Sequence, residues 1–197
     1  MSRGRLVRPY RPESWSVARW NESYASGQLT YFADLDELAR YSRPSILDVG
    51  CGLGLMRQRL DDKRFRQYVG IDLSAEAIRR AGSMADEPTT FVCGDFTDFD
   101  GPTVDVVVLN EVLYFAASPA RMLDHVGECL RAGGLLLTSI WRHPGDRSLW
   151  RLLDQRFEAL DVVRVCNESS RLAPDGWPIS CHRNPTVETA ANLGMGL

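Results

Sequence analysis

Ile46-Leu47-Asp48-Val49-Gly50-Cys51-Gly52-Leu53-Gly54 is an apolar run that turns into three alternate glycines, and it decides how the rest of the chain is read. Ile46, Leu47 and Val49 suit a buried parallel strand. Gly50, Gly52 and Gly54 let the backbone turn sharply and approach a ligand closely. A dinucleotide fingerprint requires G-x-G-x-x-G, whereas the spacing here is G-x-G-x-G and Leu55 stands where the third glycine would fall. The loop is therefore expected to hold a small cofactor other than a pyrophosphate.

Working outward, the strand signal recurs at intervals suited to a β-α-β rhythm. Residues 67–71, Q-Y-V-G-I, end in Asp72, and a carboxylate at that strand tip can accept two hydrogen bonds from a ribose diol. A third strand over 89–93 leads into Gly94-Asp95-Phe96, and a fourth over 104–109 runs into Asn110-Glu111-Val112-Leu113-Tyr114-Phe115. The fifth, 135–140, follows the turn Arg131-Ala132-Gly133-Gly134. Helices are predicted over 53–60, over 74–83 with Ser74 as N-cap, and over 118–131 with Pro119 at the first helical position. In the last of these, Met122, Leu123, Val126 and Leu130 recur at helical spacing and are expected to pack on the sheet. A further helix over 147–157 precedes strands at 160–165 and 177–181, with Pro174 and Gly176 marking the turn between them.

The 197 residues, 44% hydrophobic, are enough for one sizeable core and few for two. A formal charge of -3 and a pI near 5.6 give no basic footprint for nucleic acid. Arg3, Arg5, Arg8 and Arg11 mark residues 1–12 as a flexible basic arm. Residues 13–185 are expected to form one domain, opened by a helical lid at 13–42, and 186–197 to be a disordered tail. Five scattered cysteines lack any C-x-x-C pair or His-Cys cluster at metal-ligand spacing, so the expectation is reduced thiols, no metal and a cytoplasmic setting. No apolar run approaches the ~18 to 20 residues that cross a membrane, and oligomeric state is not legible.

The five elements from 45 to 141, in this order and at these separations, resemble the class I S-adenosylmethionine-dependent methyltransferases. The resemblance implies a three-layer Rossmann-like α/β fold, with a seven-stranded, mostly parallel sheet whose last strand is antiparallel. It implies that the loop Gly50, Cys51, Gly52 and Gly54 cradles the amino-acid end of the cofactor, with Asp48 helping to orient the ammonium. Asp72 would take the ribose diol, Asp95 the exocyclic amine of adenine, and the Phe96 amide a ring nitrogen, with Leu73 also on the cofactor. Asn110 and Glu111, at the end of the fourth strand, would also bind the cofactor. Cys51 reads as a small filler, since methyl transfer from a sulfonium needs no covalent enzyme intermediate.

Trp20, Tyr24 and Gly27 are spaced like a segment that folds over the cofactor in several small-molecule methyltransferases, where a ring face attracts a sulfonium. Ligands bind at the carboxyl ends of strands in α/β sheets, which selects Glu111, Tyr114, Trp141 and His143 as acceptor-side candidates and excludes His125 within a helix. Glu111, Tyr114 and His143 are the candidates for proton handling, His143 because it titrates near neutral pH. The fourth-strand segment lacks the two prolines of many nucleic-acid amino-methyltransferases. E-V-L-Y-F and the later G-W-P-I-S-C-H-R resemble the compact group that includes the nodulation-factor N-methyltransferases. The resemblance implies methyl transfer to a small molecule, favouring an amine on a sugar-like or amphiphilic acceptor. Hydroxyl methylation and a non-catalytic binding module stay open.

Overall fold

A computed structural model describes residues 42–140, 146–165 and 177–185. The basic arm, the lid segment with Trp20, Tyr24 and Gly27, the loop carrying Trp141 and His143, the turn at 174–176 and the tail lie outside the described residues.

The strands are β1 (Ser45–Val49), β2 (Gln67–Asp72), β3 (Thr89–Cys93), β4 (Val104–Asn110), β5 (Leu130–Ser139), β6 (Glu158–Val165) and β7 (Trp177–Arg183). Between them run α1 (Leu55–Arg59), α2 (Ala75–Ala81), α3 (Pro119–Cys129) and α4 (Asp146–Asp154). One seven-stranded sheet has the order β3-β2-β1-β4-β5-β7-β6. The pairs from β3 through β5 are parallel, and β7 is antiparallel to both β5 and β6.

Every residue of β1 is buried, as a strand covered on both faces requires. Alternation divides the core in two. Leu47, Val49, Val107, Leu109 and Leu136 pack with Met122, Leu123 and Val126 of α3 and with Leu149 and Leu153 of α4. On the opposite face Ile46, Tyr68, Val106, Val108, Leu135 and Leu137 gather with Met56 of α1 and with Phe65. These two layers of helix over a central sheet are the architecture the motif order implied.

Caps fix the helix starts. Ser74 accepts from the Ala77 amide at 3.1 Å, and Ser118 caps α3 with Pro119 in its first turn. Several boundaries differ from the sequence expectation. Helix α1 starts at Leu55 because all three loop glycines hold positive φ, which a right-handed helix cannot include. Helix α3 stops at Cys129 and β5 begins at once at Leu130. The turn expected at 131–134 is instead an irregularity within that strand, where the register jumps from Val104↔Leu130 to Val106↔Leu135. Asn184 holds it there, its side-chain amide donating to the Gly127, Leu130 and Arg131 carbonyls. Helix α4 ends at Asp154 and β6 starts two residues early, at Glu158. Among the described residues no helix is long and apolar enough to cross a membrane.

Candidate active site

The chain leaves β1 for β2 and β3 on one side of the sheet and returns to β4 and β5 on the other, so the strand order reverses between β1 and β4. Ligands of open α/β sheets bind in the crevice above such a reversal, at the carboxyl ends of the strands. The glycine loop stands at that point. Gly50, Gly52 and Gly54 have φ of 70°, 53° and 73°. A Cβ on Gly50 would lie 2.5 Å from a Val112 methyl, so the loop after β1 presses directly on the loop after β4.

The loop amides have work of their own. Gly50 N–H and Cys51 N–H donate to the Ile71 carbonyl at 2.8 and 3.1 Å. Gly52 N–H donates to Asp72 Oδ2 at 2.9 Å, and Gly54 N–H to the Cys51 carbonyl at 2.9 Å. A phosphate cradle needs such amides aimed outward; here four of them bind the loop to itself and to β2. The loop thus offers room and not anion donors, the physical content of the G-x-G-x-G spacing.

Asp72 is 8% exposed, buried at the tip of β2. Its two oxygens accept from Gly52 N–H and, at 2.8 Å, from Ser74 N–H. Burial raises its pKa against the lowering effect of those two bonds. A carboxylate has about four acceptor sites, so one per oxygen is left for a diol. Leu73 beside it is 42% exposed, an apolar surface at the rim of the crevice.

Below the loop lies a buried acid that sequence reasoning only half understood. Asp48 is 3% exposed, and the Tyr68 hydroxyl donates to its Oδ2 at 2.5 Å. Burial pushes the Asp48 carboxyl up to about 7, opposed by the Tyr68 bond and assisted by the charge of Asp72. Tyr68 was not among the expected site residues. The available signal was a tyrosine inside an apolar strand, because a buried phenol needs a polar partner. Cys51 is buried, and burial followed by the charges of Asp48 and Asp72 pushes its thiol well up, which fits a filler and not a nucleophile.

After β3, Asp95 caps a short 3-10 turn, its Oδ1 accepting from the Thr97 amide at 2.9 Å and the Thr97 hydroxyl at 2.8 Å. The Phe96 ring is buried and packs on His125 with centroids 4.8 Å apart. His125 Nε2 lies 2.9 Å from the Phe99 carbonyl, so this helix histidine backs the turn from behind and stands away from the crevice mouth.

Past β4, Glu111 adopts φ 59°, a left-handed conformation that costs a non-glycine residue roughly 1 to 2 kcal/mol. Its N–H donates to the Ser139 carbonyl at 3.2 Å and to the Ser139 hydroxyl at 3.1 Å. Tyr114 O–H donates to Glu111 Oε2 at 2.8 Å, and Ser139 Oγ lies 2.8 Å from Oε1 and 2.7 Å from Asn110 Oδ1. The structure therefore brings Asn110, Glu111 and Tyr114 together, and adds Ser139.

Opposite this crevice, at the amino ends of the strands, Arg57, Asp61, Asp62, Ser83 and Asp86 line an open depression of about 610 Å³. Arg57 Nη2 reaches Asp62 at 2.6 Å and Asp86 at 3.0 Å, while its Nε donates to Thr89 Oγ1 at 2.7 Å. The guanidinium also lies over the Phe65 ring. These groups complete one another, and the depression lies at the wrong end of the sheet for the loop chemistry.

Comparison with known proteins agrees with this geometry. A family model described as methyltransferase domain matches residues 47–138. An uncharacterized methyltransferase of Mycobacterium tuberculosis is 29% identical over 164 residues, covering 81% of this chain and 79% of that protein. The fold is similar to N-methyltransferase NodS of Bradyrhizobium japonicum, solved with S-adenosylhomocysteine, at TM-score 0.68 and 20% identity, covering 85% of this chain and 99% of that one. It is likewise similar to the 1,6-didemethyltoxoflavin N1-methyltransferase of Burkholderia thailandensis, at TM-score 0.69 and 19% identity, covering 86% and 87%.

Proposed function

We propose that this chain, which belongs to the class I S-adenosylmethionine-dependent methyltransferases, delivers a methyl group to an amine on a small, sugar-like or amphiphilic acceptor. The observation that carries the reading is the way the carboxyl-end acids are held. Asp72 and Asp95 are bound by backbone amides and a hydroxyl, all neutral donors, so their charge is left for a ligand. That donor set fits S-adenosylmethionine, whose sulfonium and ammonium are cationic and whose adenosine presents N–H and O–H donors. The close approach at the glycine loop and the exposed Leu73 fit it as well.

When bound, the cofactor supplies an electrophilic methyl on sulfur together with its own leaving group. The chain has the remaining work. Asp72 takes the ribose diol with its two open acceptor sites, Asp95 takes the exocyclic amine of adenine, and the loop from Gly50 to Gly54 makes room for the amino-acid end. Alignment of the acceptor behind the methyl supplies several of the ~7 to 11 kcal/mol available from proximity. As the acceptor nitrogen forms its bond to carbon it gains positive charge and then sheds a proton. Glu111, whose carboxylate is steadied by the Tyr114 and Ser139 hydroxyls, is the acceptor we assign for that proton, with His143 as the second candidate. Among the described residues Cys51, Cys93 and Cys129 form no disulfide, which supports a reducing, cytoplasmic setting.

The test is S-adenosylhomocysteine release with a panel of amino sugars, alkylamines and matched alcohols. Turnover confined to amines is the expected result. Turnover confined to alcohols would make the chain an O-methyltransferase, and cofactor binding with no turnover on any acceptor would make it a binding module.

A further inference from the structure

Ser139 ends β5 beside the carboxyl end of β4, is 2% exposed, and meets three polar groups with one hydroxyl. Its Oγ lies 3.1 Å from Glu111 N, 2.8 Å from Glu111 Oε1 and 2.7 Å from Asn110 Oδ1. A serine hydroxyl has one proton and two lone pairs. The Glu111 N–H needs one lone pair and the Glu111 carboxylate needs the proton. The one proton cannot serve both Glu111 Oε1 and Asn110 Oδ1, so we assign the Asn110 amide with its two ends exchanged, which turns its NH₂ toward Ser139 as a second donor. All three contacts are then satisfied at once, and the Asn110 oxygen is directed away from Ser139. The same hydroxyl and the Ser139 carbonyl both hold the N–H of Glu111, the described non-glycine residue at the crevice with positive φ.

From this geometry we infer that Ser139 is a positioning residue for the amino-acid end of the cofactor, acting through Asn110 and Glu111. The sheet order supplies the direction. Across β3, β2, β1 and β4 stand in turn Asp95, Asp72, the glycine loop and Asn110-Glu111. A ligand with its adenine at β3 and its ribose on Asp72 therefore crosses the loop and reaches Asn110 and Glu111 with its far end. Val49 pairs with Leu109, and Gly50 touches Val112, so no gap separates the loop from these residues. The Asn110 oxygen is the acceptor that Ser139 turns to meet an ammonium, while the same hydroxyl steadies the Glu111 backbone and carboxylate beside it. This inference rests on cofactor binding at the crevice and is independent of which acceptor is methylated.

Calorimetric titration of Ser139→Ala and Ser139→Thr with two probes tests it. S-adenosylhomocysteine carries the amino-acid end and 5′-methylthioadenosine lacks it. Ser139→Ala is expected to weaken S-adenosylhomocysteine about fivefold, the effect of one net hydrogen bond, and to leave 5′-methylthioadenosine within about twofold of the parent. Ser139→Thr keeps the hydroxyl and is expected to restore the difference. In a double-mutant cycle, Ser139→Ala is expected to lose most of its effect when Asn110 is already alanine. Equal weakening of both probes would mean a general loosening of the sheet and would overturn the inference, as would parental affinity in Ser139→Ala. Failure of the amine panel leaves these affinities untouched, so the substrate reading and this inference fail separately.

Discussion

The two ends of the parallel sheet hold their acids in opposite ways. At the amino ends, Asp105 accepts from Arg66 at 2.7 Å and from Arg131, and Arg57 joins Asp62 to Asp86. At the carboxyl ends, Asp72 and Asp95 are held by amides and a hydroxyl. A carboxylate neutralised by a guanidinium fastens strands together, whereas one steadied by neutral donors keeps its charge for something that arrives later. The distinction separates structure from function in a chain where aspartates are common to both ends.

Paired glycines give the sharpest way to break this contrast. Gly50 and Gly133 both hold positive φ, 70° and 76°, yet a Cβ on Gly50 would strike Val112 while one on Gly133 has nothing within 4 Å. Gly50→Ala is expected to combine the left-handed penalty with overpacking, roughly 2 to 5 kcal/mol in stability, and to abolish measurable S-adenosylhomocysteine binding. Gly133→Ala is expected to cost only roughly 1 to 2 kcal/mol and to bind like the parent. Denaturant unfolding and calorimetry of both variants read the difference, and equal binding by the two would remove the glycine loop from the site.

Asp72→Ala is expected to come next. It loses the proposed bonds to the ribose, about 1.5 to 3 kcal/mol in affinity, and deprives the Gly52 and Ser74 amides of their acceptor, so the melting temperature falls too. Parental affinity for S-adenosylhomocysteine would reduce Asp72 to a loop clamp.

Much of this was legible from the residues themselves. The β1 strand, the glycine spacing and the order of acids at 72, 95 and 111 follow from short-range pattern, because apolar runs and glycines act within a few residues. What escaped depends on contacts between distant segments. Nothing near Asp72 announces that it clamps Gly52, and the partnership of Tyr68 with Asp48 comes from strand register, with Tyr68 beside Ile46 and Gly70 beside Asp48. Ser139 looks like the end of an apolar strand until β5 is laid beside β4. The misplaced start of β5 has the same origin, since it is Asn184, more than fifty residues away, that holds the backbone around Leu130 and Arg131.

Smaller effects sharpen the comparison through pH. Asp105 is partly buried, which would raise its pKa, yet the bonds from Ser45 and Arg66 hold its carboxyl well below the usual carboxylate range. A group depressed in the folded state stabilises above its unfolded value of about 3.9, and that contribution is lost as pH falls through the folded value. Asp105→Asn is thus expected to cost roughly 1 to 2 kcal/mol at neutral pH, to flatten the acid limb of the stability curve, and to bind cofactor normally. Asp48 has the reverse sign. Its carboxyl is raised from 3.8 to about 7, so its contribution is full below about pH 4 and is lost as pH rises toward 7. Asp48→Asn is expected to remove that slope, measured as the difference between parent and variant unfolding curves from pH 4 to 8; superimposable slopes would show that the buried acid does not titrate there.

Hydrogen exchange with and without S-adenosylhomocysteine tests the division of the sheet most directly. Protection on binding is expected at residues 50–54, 72–74, 94–96 and 110–112, with exchange around Arg57, Asp62, Asp86 and Asp105 unchanged. Protection centred on the Arg57 depression, with the glycine loop unaffected, would place the ligand at the opposite end of the strands and contradict the account.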